Sequence, residues 1–179
     1  HNGIVYLTED RDKEGLIDVL SVRDNLTISS LDRVSRASFI DRKQEKRTVD
    51  KLIELLSVHA PSANECVKNL SGGNRQKVLL GKVFAINPNI YLLDEPTKGI
   101  DIGAKRDILS FIRKELIKNS GIMITLPDIP SLIEVCDKIM VMHSGEIVKE
   151  FEKRDFDEAE IYNASQGITN NNSEDAAVE

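Results

Sequence analysis

The sequence is organised around a short apolar run that ends in two adjacent acids. The run at residues 90–93 is rich in residues that favour β-strands, and Asp94 and Glu95 follow it directly. Pro96 then blocks continuation of the strand. Acids inside a buried strand would be costly to desolvate, so we expect the pair at the carboxyl end of the strand, where open α/β sheets bind ligands. Taken alone, the pair also fits a simple helix-capping role, and this alternative stays open at this point.

Composition narrows the class of protein. The chain has 179 residues, 40% of them hydrophobic, which suits a globular domain with a sizeable core. Its apolar runs are too short to cross a bilayer, so a soluble chain in the cytosol is expected. The formal net charge is −6, with basic residues scattered among acids, and nucleic acid is therefore not an expected partner. Cys66 and Cys136 are far apart without CxxC spacing, which favours neither a disulfide nor a metal site.

Strand-like and helix-like segments alternate along the chain. Strands are expected at residues 3–8, 90–93, 122–126 and 138–142, the last of them with a hairpin partner that begins at Ile147. This alternation predicts an α/β fold with a mainly parallel sheet, in which the strands at 90–93 and 122–126 are buried. The stretch from residue 21 to about 63 contains no strand-like run, and it predicts a helical lobe.

A second chemical feature lies about twenty residues before the acids. Ser71, Gly72, Gly73 and Asn74 stand where an amphipathic helix begins. Free backbone N–H groups at such a helix start, unobstructed at two glycines, can receive a phosphate. An ordinary serine-capped helix is the alternative reading of this motif alone. Together with a strand-end acid pair, the motif favours nucleotide chemistry, in which one acid holds Mg²⁺ and its neighbour orients or deprotonates water.

Three motifs in this order resemble the ATP-binding subunits of ABC transporters, which have a P-loop NTPase-like fold. Residues 70–73 are similar to the ABC signature, residues 90–95 to the Walker B strand, and residues 99–101 to the D-loop. The resemblance narrows to carbohydrate importers of the ribose, galactose or xylose type, whose ATPase subunit carries two cassettes. Residues 9–16, Asn74 and residues 97–105 are similar to the second cassette of that group.

The resemblance implies a domain plan and roles for individual residues. A partial nucleotide-binding domain would cover residues 1–165, with the helical lobe at roughly 18–86 inserted in the α/β core, and residues 166–179 would form a disordered polar tail. Glu95 would be catalytic, and Asp94 would hold Mg²⁺, with Glu9 at the Q-loop position as a second possible ligand. ATP held by an opposing cassette would be contacted by Ser71, Gly72, Gly73 and Asn74. Asp101 would cross the interface between the cassettes.

Two departures from the family pattern accompany these motifs. Pro127 occupies the position of the switch histidine, and proline has no side-chain group to sense a phosphate. No GxxxxGK[ST] sequence occurs, so the P-loop that cradles ATP is missing. The expectation is therefore a C-terminal fragment that begins after the P-loop and is inactive by itself.

The resemblance implies a function for the intact protein. It would hydrolyse ATP to drive import of a sugar or related solute at the cytoplasmic face of the cell membrane. Its partners would be a second cassette, membrane permease subunits and, indirectly, an extracytoplasmic sugar-binding protein, with ATP and Mg²⁺ as cofactors. Two alternatives are a degenerate cassette that serves as scaffold and signature donor, and a soluble ABC ATPase of DNA repair or translation. The second alternative usually brings coiled-coil insertions or basic linkers, and this sequence contains neither.

Overall fold

A computed structural model describes residues 3–10, 14–36, 39–118 and 120–168. The chain divides into two compact units, His1–Pro127 and Asp128–Glu179. The predicted disordered tail at 166–179 lies outside the described residues from position 169 onward. The expected domain limits of 1–165 stay a prediction.

The first unit combines a parallel sheet with helices. Its elements in chain order are β1 (Ile4–Leu7), α1 (Val22–Thr27), β2 (Ser35–Arg36), β3 (Phe39–Ile40), α2 (Arg42–Leu55), α3 (Gly72–Ile86), β4 (Ile90–Leu93), α4 (Ile102–Lys114) and β5 (Gly121–Ile124). The sheet has the order β1-β4-β5, and both pairings are parallel. The predicted α/β fold with a parallel sheet is therefore confirmed.

One face of this sheet is buried and the other is largely exposed. Leu7, Tyr91 and Leu93 lie in the core with apolar residues of α1, α2, α3 and α4. The opposite face carries Ile90, which is 39% exposed, and Met123, which is 56% exposed. The prediction that the strands at 90–93 and 122–126 are buried was therefore wrong for this face, and it holds only for the face that packs on the helices. Within the part of the chain that the structure describes, β5 is an outer strand, and the helices of this core pack against the face that carries Leu7, Tyr91 and Leu93.

The helical region is held by local capping and by one stripe of apolar residues. Ser21 caps α1 with a reciprocal capping box, and Asp41 accepts two backbone N–H groups at the start of α2. Val49 and Leu52 are the buried apolar residues of α2. The expectation that this region contains no strand was wrong, because β2 and β3 form a small antiparallel pair. Two-residue strands are too short to show a period-2 pattern.

The second unit is a hairpin packed with two helices. It contains α5 (Ile129–Val135), β6 (Lys138–His143), β7 (Glu146–Glu152) and α6 (Glu158–Ser165). β6 and β7 are antiparallel, and both residues of the turn, Ser144 and Gly145, have positive φ angles. The predicted hairpin is confirmed. None of the helices in the described parts of the chain combines the length and apolar character needed to cross a bilayer.

Candidate functional site

The three parallel strands of the first unit end at the same edge. Leu7, Leu93 and Ile124 are paired in register as the last residues of β1, β4 and β5. The pairing continues one residue further, because Asp94 N–H donates to the Leu7 carbonyl at 3.0 Å and Thr125 N–H donates to the Leu93 carbonyl at 2.9 Å. Asp94 and Thr125 therefore lie side by side at the carboxyl edge, as the sequence predicted for the acid.

Asp94 is half-buried, and both of its carboxylate oxygens accept hydrogen bonds. The Tyr6 hydroxyl donates to one oxygen at 2.9 Å, and the Thr125 hydroxyl donates to the other at 2.8 Å. The hydrogen bond to Asp94 raises the pKa of Tyr6 above its ordinary value, because ionisation would remove the donated proton. A carboxylate has about four acceptor positions, so two remain for another partner.

Glu95 adopts an unusual backbone conformation. Its φ angle is +42°, in the left-handed region that residues with a Cβ seldom occupy. Its N–H donates to the Thr125 hydroxyl oxygen at 2.9 Å, and its side chain is 31% exposed. Such backbone strain persists only where neighbouring contacts impose it, and it is concentrated at functional sites.

Glu9 and Glu95 share a basic neighbour, Lys98. The Lys98 ammonium is hydrogen-bonded to the Glu9 carboxylate and lies 3.7 Å from a carboxylate oxygen of Glu95. The hydrogen bond to Glu9 raises the pKa of Lys98, because it favours the charged form. The predicted Q-loop acid, Glu9, and the predicted catalytic acid, Glu95, therefore both lie next to the Lys98 ammonium.

The acids at the edge fit a metal site that a ligand would complete. The described residues contain no group of three or more His, Cys, Asp or Glu side chains arranged to hold a metal ion. Mg²⁺ is usually bound through one or two carboxylates together with substrate phosphates and water. Asp94, with two acceptor positions still open, suits the role of that single carboxylate.

The glycine-rich motif forms the start of α3. Ser71 is the N-cap residue, and its hydroxyl oxygen accepts the Asn74 backbone N–H at 3.4 Å and the Asn74 side-chain amide at 3.0 Å. The Asn74 side-chain oxygen in turn accepts the backbone N–H of His59 at 2.7 Å. We name residues 71–74 the signature turn. The structure confirms that Ser71 caps this helix, whereas phosphate contact by these residues stays a prediction.

Gly73 brings the signature turn against the start of α4. A Cβ atom added at Gly73 would lie 2.7 Å from the Ala104 Cβ and 3.3 Å from a carboxylate oxygen of Asp101. Asp101 is the N-cap residue of α4, and its carboxylate accepts the Ala104 N–H at 2.9 Å. That hydrogen bond lowers the pKa of Asp101. The predicted signature and D-loop residues are therefore neighbours within this chain.

The structure places the predicted residues in two sets and adds three residues that the sequence did not indicate. One set is at the sheet edge with Glu9, Asp94 and Glu95, and the other joins the signature turn to Asp101. Pro127 is exposed beyond the end of β5. Tyr6, Thr125 and Lys98 were missed, because their contacts with the acids depend on strand pairing and on the turn after β4 rather than on a sequence pattern.

Comparison with known proteins supports one family. The family model described as ABC transporter matches residues 1–98. The ribose import ATP-binding protein RbsA 1 of Rhizobium etli is 41% identical over 165 residues, which cover 92% of this chain and 32% of that protein. The corresponding RbsA of Geobacillus kaustophilus is 39% identical, over 93% of this chain and 34% of that protein. The chain thus spans about a third of the length of these curated relatives.

Solved structures share the fold. A dimeric, post-hydrolysis structure of the ATP-binding cassette MJ0796 bound to ADP and Pi matches with a TM-score of 0.69 and 23% identity. The match covers 86% of this chain and 64% of that one. At this identity the likeness concerns the fold, whereas the family model covers more than half of the sequence. The chain belongs to the ABC transporter family.

Proposed function

We propose that the chain is the C-terminal part of the second nucleotide-binding cassette in the ATPase subunit of a sugar-type ABC importer. The observation that carries the proposal is the pair of acids at the carboxyl edge of the parallel sheet, where Asp94 is oriented by two hydroxyl groups. The relatives named for ribose import support a sugar as the transported class.

The acids divide the work of ATP hydrolysis. Asp94 would hold Mg²⁺, which when bound offsets the negative charge of the phosphates. Glu95, one residue further along the chain, would orient the attacking water and take up its proton. Its carboxylate is partly exposed and can therefore meet a water molecule directly. Lys98, near both Glu9 and Glu95, keeps negative charge at this edge partly compensated.

The remaining motifs suit a role between two cassettes. The signature turn presents the N–H groups of a helix start, which can contact the γ-phosphate of ATP held by the opposing cassette. Asp101, exposed at the start of α4, would lie at the same interface. In the intact importer we place the protein at the cytoplasmic face of the membrane, against permease subunits that receive solute from an extracytoplasmic binding protein.

Pro127 favours a second candidate, a cassette that serves mainly as scaffold and signature donor. Its side chain offers no donor or acceptor at the end of β5, where the family resemblance places a switch histidine. In that case ATP turnover would depend on the partner cassette, and the acids at this edge would be dispensable.

The substitution Glu95→Gln in the full-length protein separates the two candidates. Removing a general base from one of two working sites should lower the steady-state ATPase rate by about half or more. Glu54→Gln, at an exposed position of α2, is the matched control for the loss of one carboxylate. An unchanged rate in Glu95→Gln would contradict a working second site and favour the scaffold.

A further inference from the structure

We propose that Thr125 is a positioning residue that fixes both acids of the candidate ATPase site with one hydroxyl group. The inference rests on the proposed function, because it assigns Thr125 a role in the same hydrolysis. Thr125 is the first residue after β5, beside Asp94 at the edge of the sheet.

The Thr125 hydroxyl is used in both directions. It donates its proton to a carboxylate oxygen of Asp94 at 2.8 Å and accepts the backbone N–H of Glu95 at 2.9 Å. A threonine hydroxyl has one donor and two acceptor positions, so a single group can serve both neighbours. The same Thr125 hydroxyl group therefore orients the carboxylate of Asp94, the proposed Mg²⁺ ligand, and holds the backbone of Glu95, the proposed base.

The sheet fixes the position of Thr125. The Thr125 N–H donates to the Leu93 carbonyl at 2.9 Å, which continues the parallel ladder past the last residues of β4 and β5. Threonine is also stiff about χ1, so its hydroxyl has few alternative directions. The position of the hydroxyl thus follows from strand register.

Glu95 depends on the Thr125 hydroxyl because its own backbone adopts an unfavourable conformation. A φ angle of +42° is unfavourable for a residue with a Cβ, and a hydrogen bond from its N–H helps to hold it there. Without an acceptor at Thr125, the Glu95 turn gains freedom to return toward negative φ, which would redirect the carboxylate. We expect this loss to affect the base more than the metal ligand.

Tyr6 provides an internal comparison. Its hydroxyl holds the other oxygen of Asp94 at 2.9 Å, and it is a neighbour of the acid through the β1–β4 pairing. Tyr6→Phe therefore removes one hydrogen bond to Asp94 and leaves the Glu95–Thr125 hydrogen bond in place. Thr125→Val removes hydrogen bonds to both acids with little change of side-chain shape.

Because Thr125 is exposed, a substitution there should affect the positioning of the acids without affecting the stability of the fold. Thr125 lies at the solvent-exposed rim of the sheet, so water can take over its hydrogen bonds after substitution. The midpoint of thermal unfolding should therefore change little in Thr125→Val. A mobile water molecule does not hold the acids in a fixed orientation, so ATP turnover should fall although stability is unchanged.

The first measurement is amide hydrogen exchange of Glu95 in the 179-residue chain. Thr125→Val should accelerate exchange at Glu95 by about tenfold, because the N–H loses its acceptor. Thr125→Ser should return the rate close to that of the parent, and Tyr6→Phe should leave it unchanged. Equal Glu95 exchange in the parent and in Thr125→Val would overturn the inference.

The second measurement is steady-state ATPase activity of the full-length protein. Thr125→Val should lower kcat by at least about half as much as Glu95→Gln lowers it, with little change in KM for ATP. Thr125→Ser should restore kcat. Thr48→Val, on α2, controls for the substitution itself. A loss in Glu95→Gln with full kcat in Thr125→Val would overturn this inference alone. Full activity in both would overturn the proposed function and this inference with it.

Discussion

At the scale of single residues, hydroxyl groups determine how the acidic edge is arranged. Asp94 receives one hydroxyl from β1 and one from the residue after β5, so neighbours on both sides orient its carboxylate. The hydrogen bond to Asp94 also favours the neutral form of Tyr6, because the neutral hydroxyl is the one that donates.

Titration of Tyr6 tests this contact. Its hydrogen bond to Asp94 raises the Tyr6 pKa above the ordinary 10.0, so the contribution of that bond to stability is present below pH 10 and is lost as the pH rises through the raised value. Asp94→Ala should lower the Tyr6 pKa toward 10.0. The measurement is tyrosinate absorbance against pH, with Tyr6→Phe subtracted. The subtraction removes the signals of the other two tyrosines, Tyr162 and Tyr91, and burial raises the pKa of Tyr91 to about 12. An unchanged Tyr6 pKa in Asp94→Ala would contradict the contact.

The sequence could predict the acids of this edge but not the residues that hold them. Asp94 and Glu95 follow an apolar strand within a few positions, and that signal is local. Thr125 reaches Asp94 only because β4 and β5 end in register, and Tyr6 reaches it through a second pairing. Register is fixed by packing of the whole sheet, so neither contact can be read from spacing along the chain.

At the scale of elements, the close approach of α3 and α4 explains one glycine of the signature turn. The sequence suggested that both glycines leave room for a phosphate. In the structure, Gly73 also faces the Ala104 methyl at a distance that would exclude another side chain. The buried position of Gly73 agrees with this packing role. The start of α3 is therefore attached to the start of α4, which carries Asp101.

The substitution Gly73→Ala tests the packing of the two helices. An added methyl group 2.7 Å from the Ala104 Cβ must displace one helix, and we expect a loss of about 1–3 kcal/mol in the free energy of unfolding. The measurement is urea denaturation. Ala104→Gly alone should cost about 1 kcal/mol through helix propensity.

The double variant supplies the decisive comparison for this pair. Gly73→Ala with Ala104→Gly should be more stable than the sum of the single effects, because the opposing methyl is gone. Strict additivity of the two losses would show that Gly73 does not contact Ala104.

The start of α3 is the helix boundary that the sequence predicted. Ser71 caps α3 as expected, and Asn87 ends it in a left-handed conformation. These signals act within one turn of the chain. The burial of β5 was wrongly predicted because packing on its two faces depends on elements that are distant in sequence. An apolar composition alone therefore does not distinguish a covered strand from an exposed one.

At the scale of the whole molecule, our proposal implies that the chain holds only part of an ATP-binding site. Asp94 offers one carboxylate, and no GxxxxGK[ST] sequence supplies a phosphate cradle. The signature turn, by our proposal, serves nucleotide held by another cassette. Binding and hydrolysis would therefore be properties of a larger assembly.

Calorimetric titration of the 179-residue chain with Mg-ATP tests this conclusion. We expect a dissociation constant weaker than about 1 mM, because single carboxylates and exposed hydroxyls do not hold a triphosphate. Asp94→Asn serves as the control for residual metal-dependent heat. Micromolar affinity that is lost in Asp94→Asn would contradict the proposed division of the site.

The exposed face of the sheet has a consequence for handling the protein. Ile4, Tyr6 and Met123 are each more than half exposed on strands that also form the outer edges of the sheet. Among the described residues no further strand pairs with these outer edges, and apolar side chains beside unpaired strand edges favour self-association of the kind that leads to aggregates. Preparations of this chain alone should accordingly be sensitive to concentration, and polar replacement of Met123 is the first change to make for higher working concentrations.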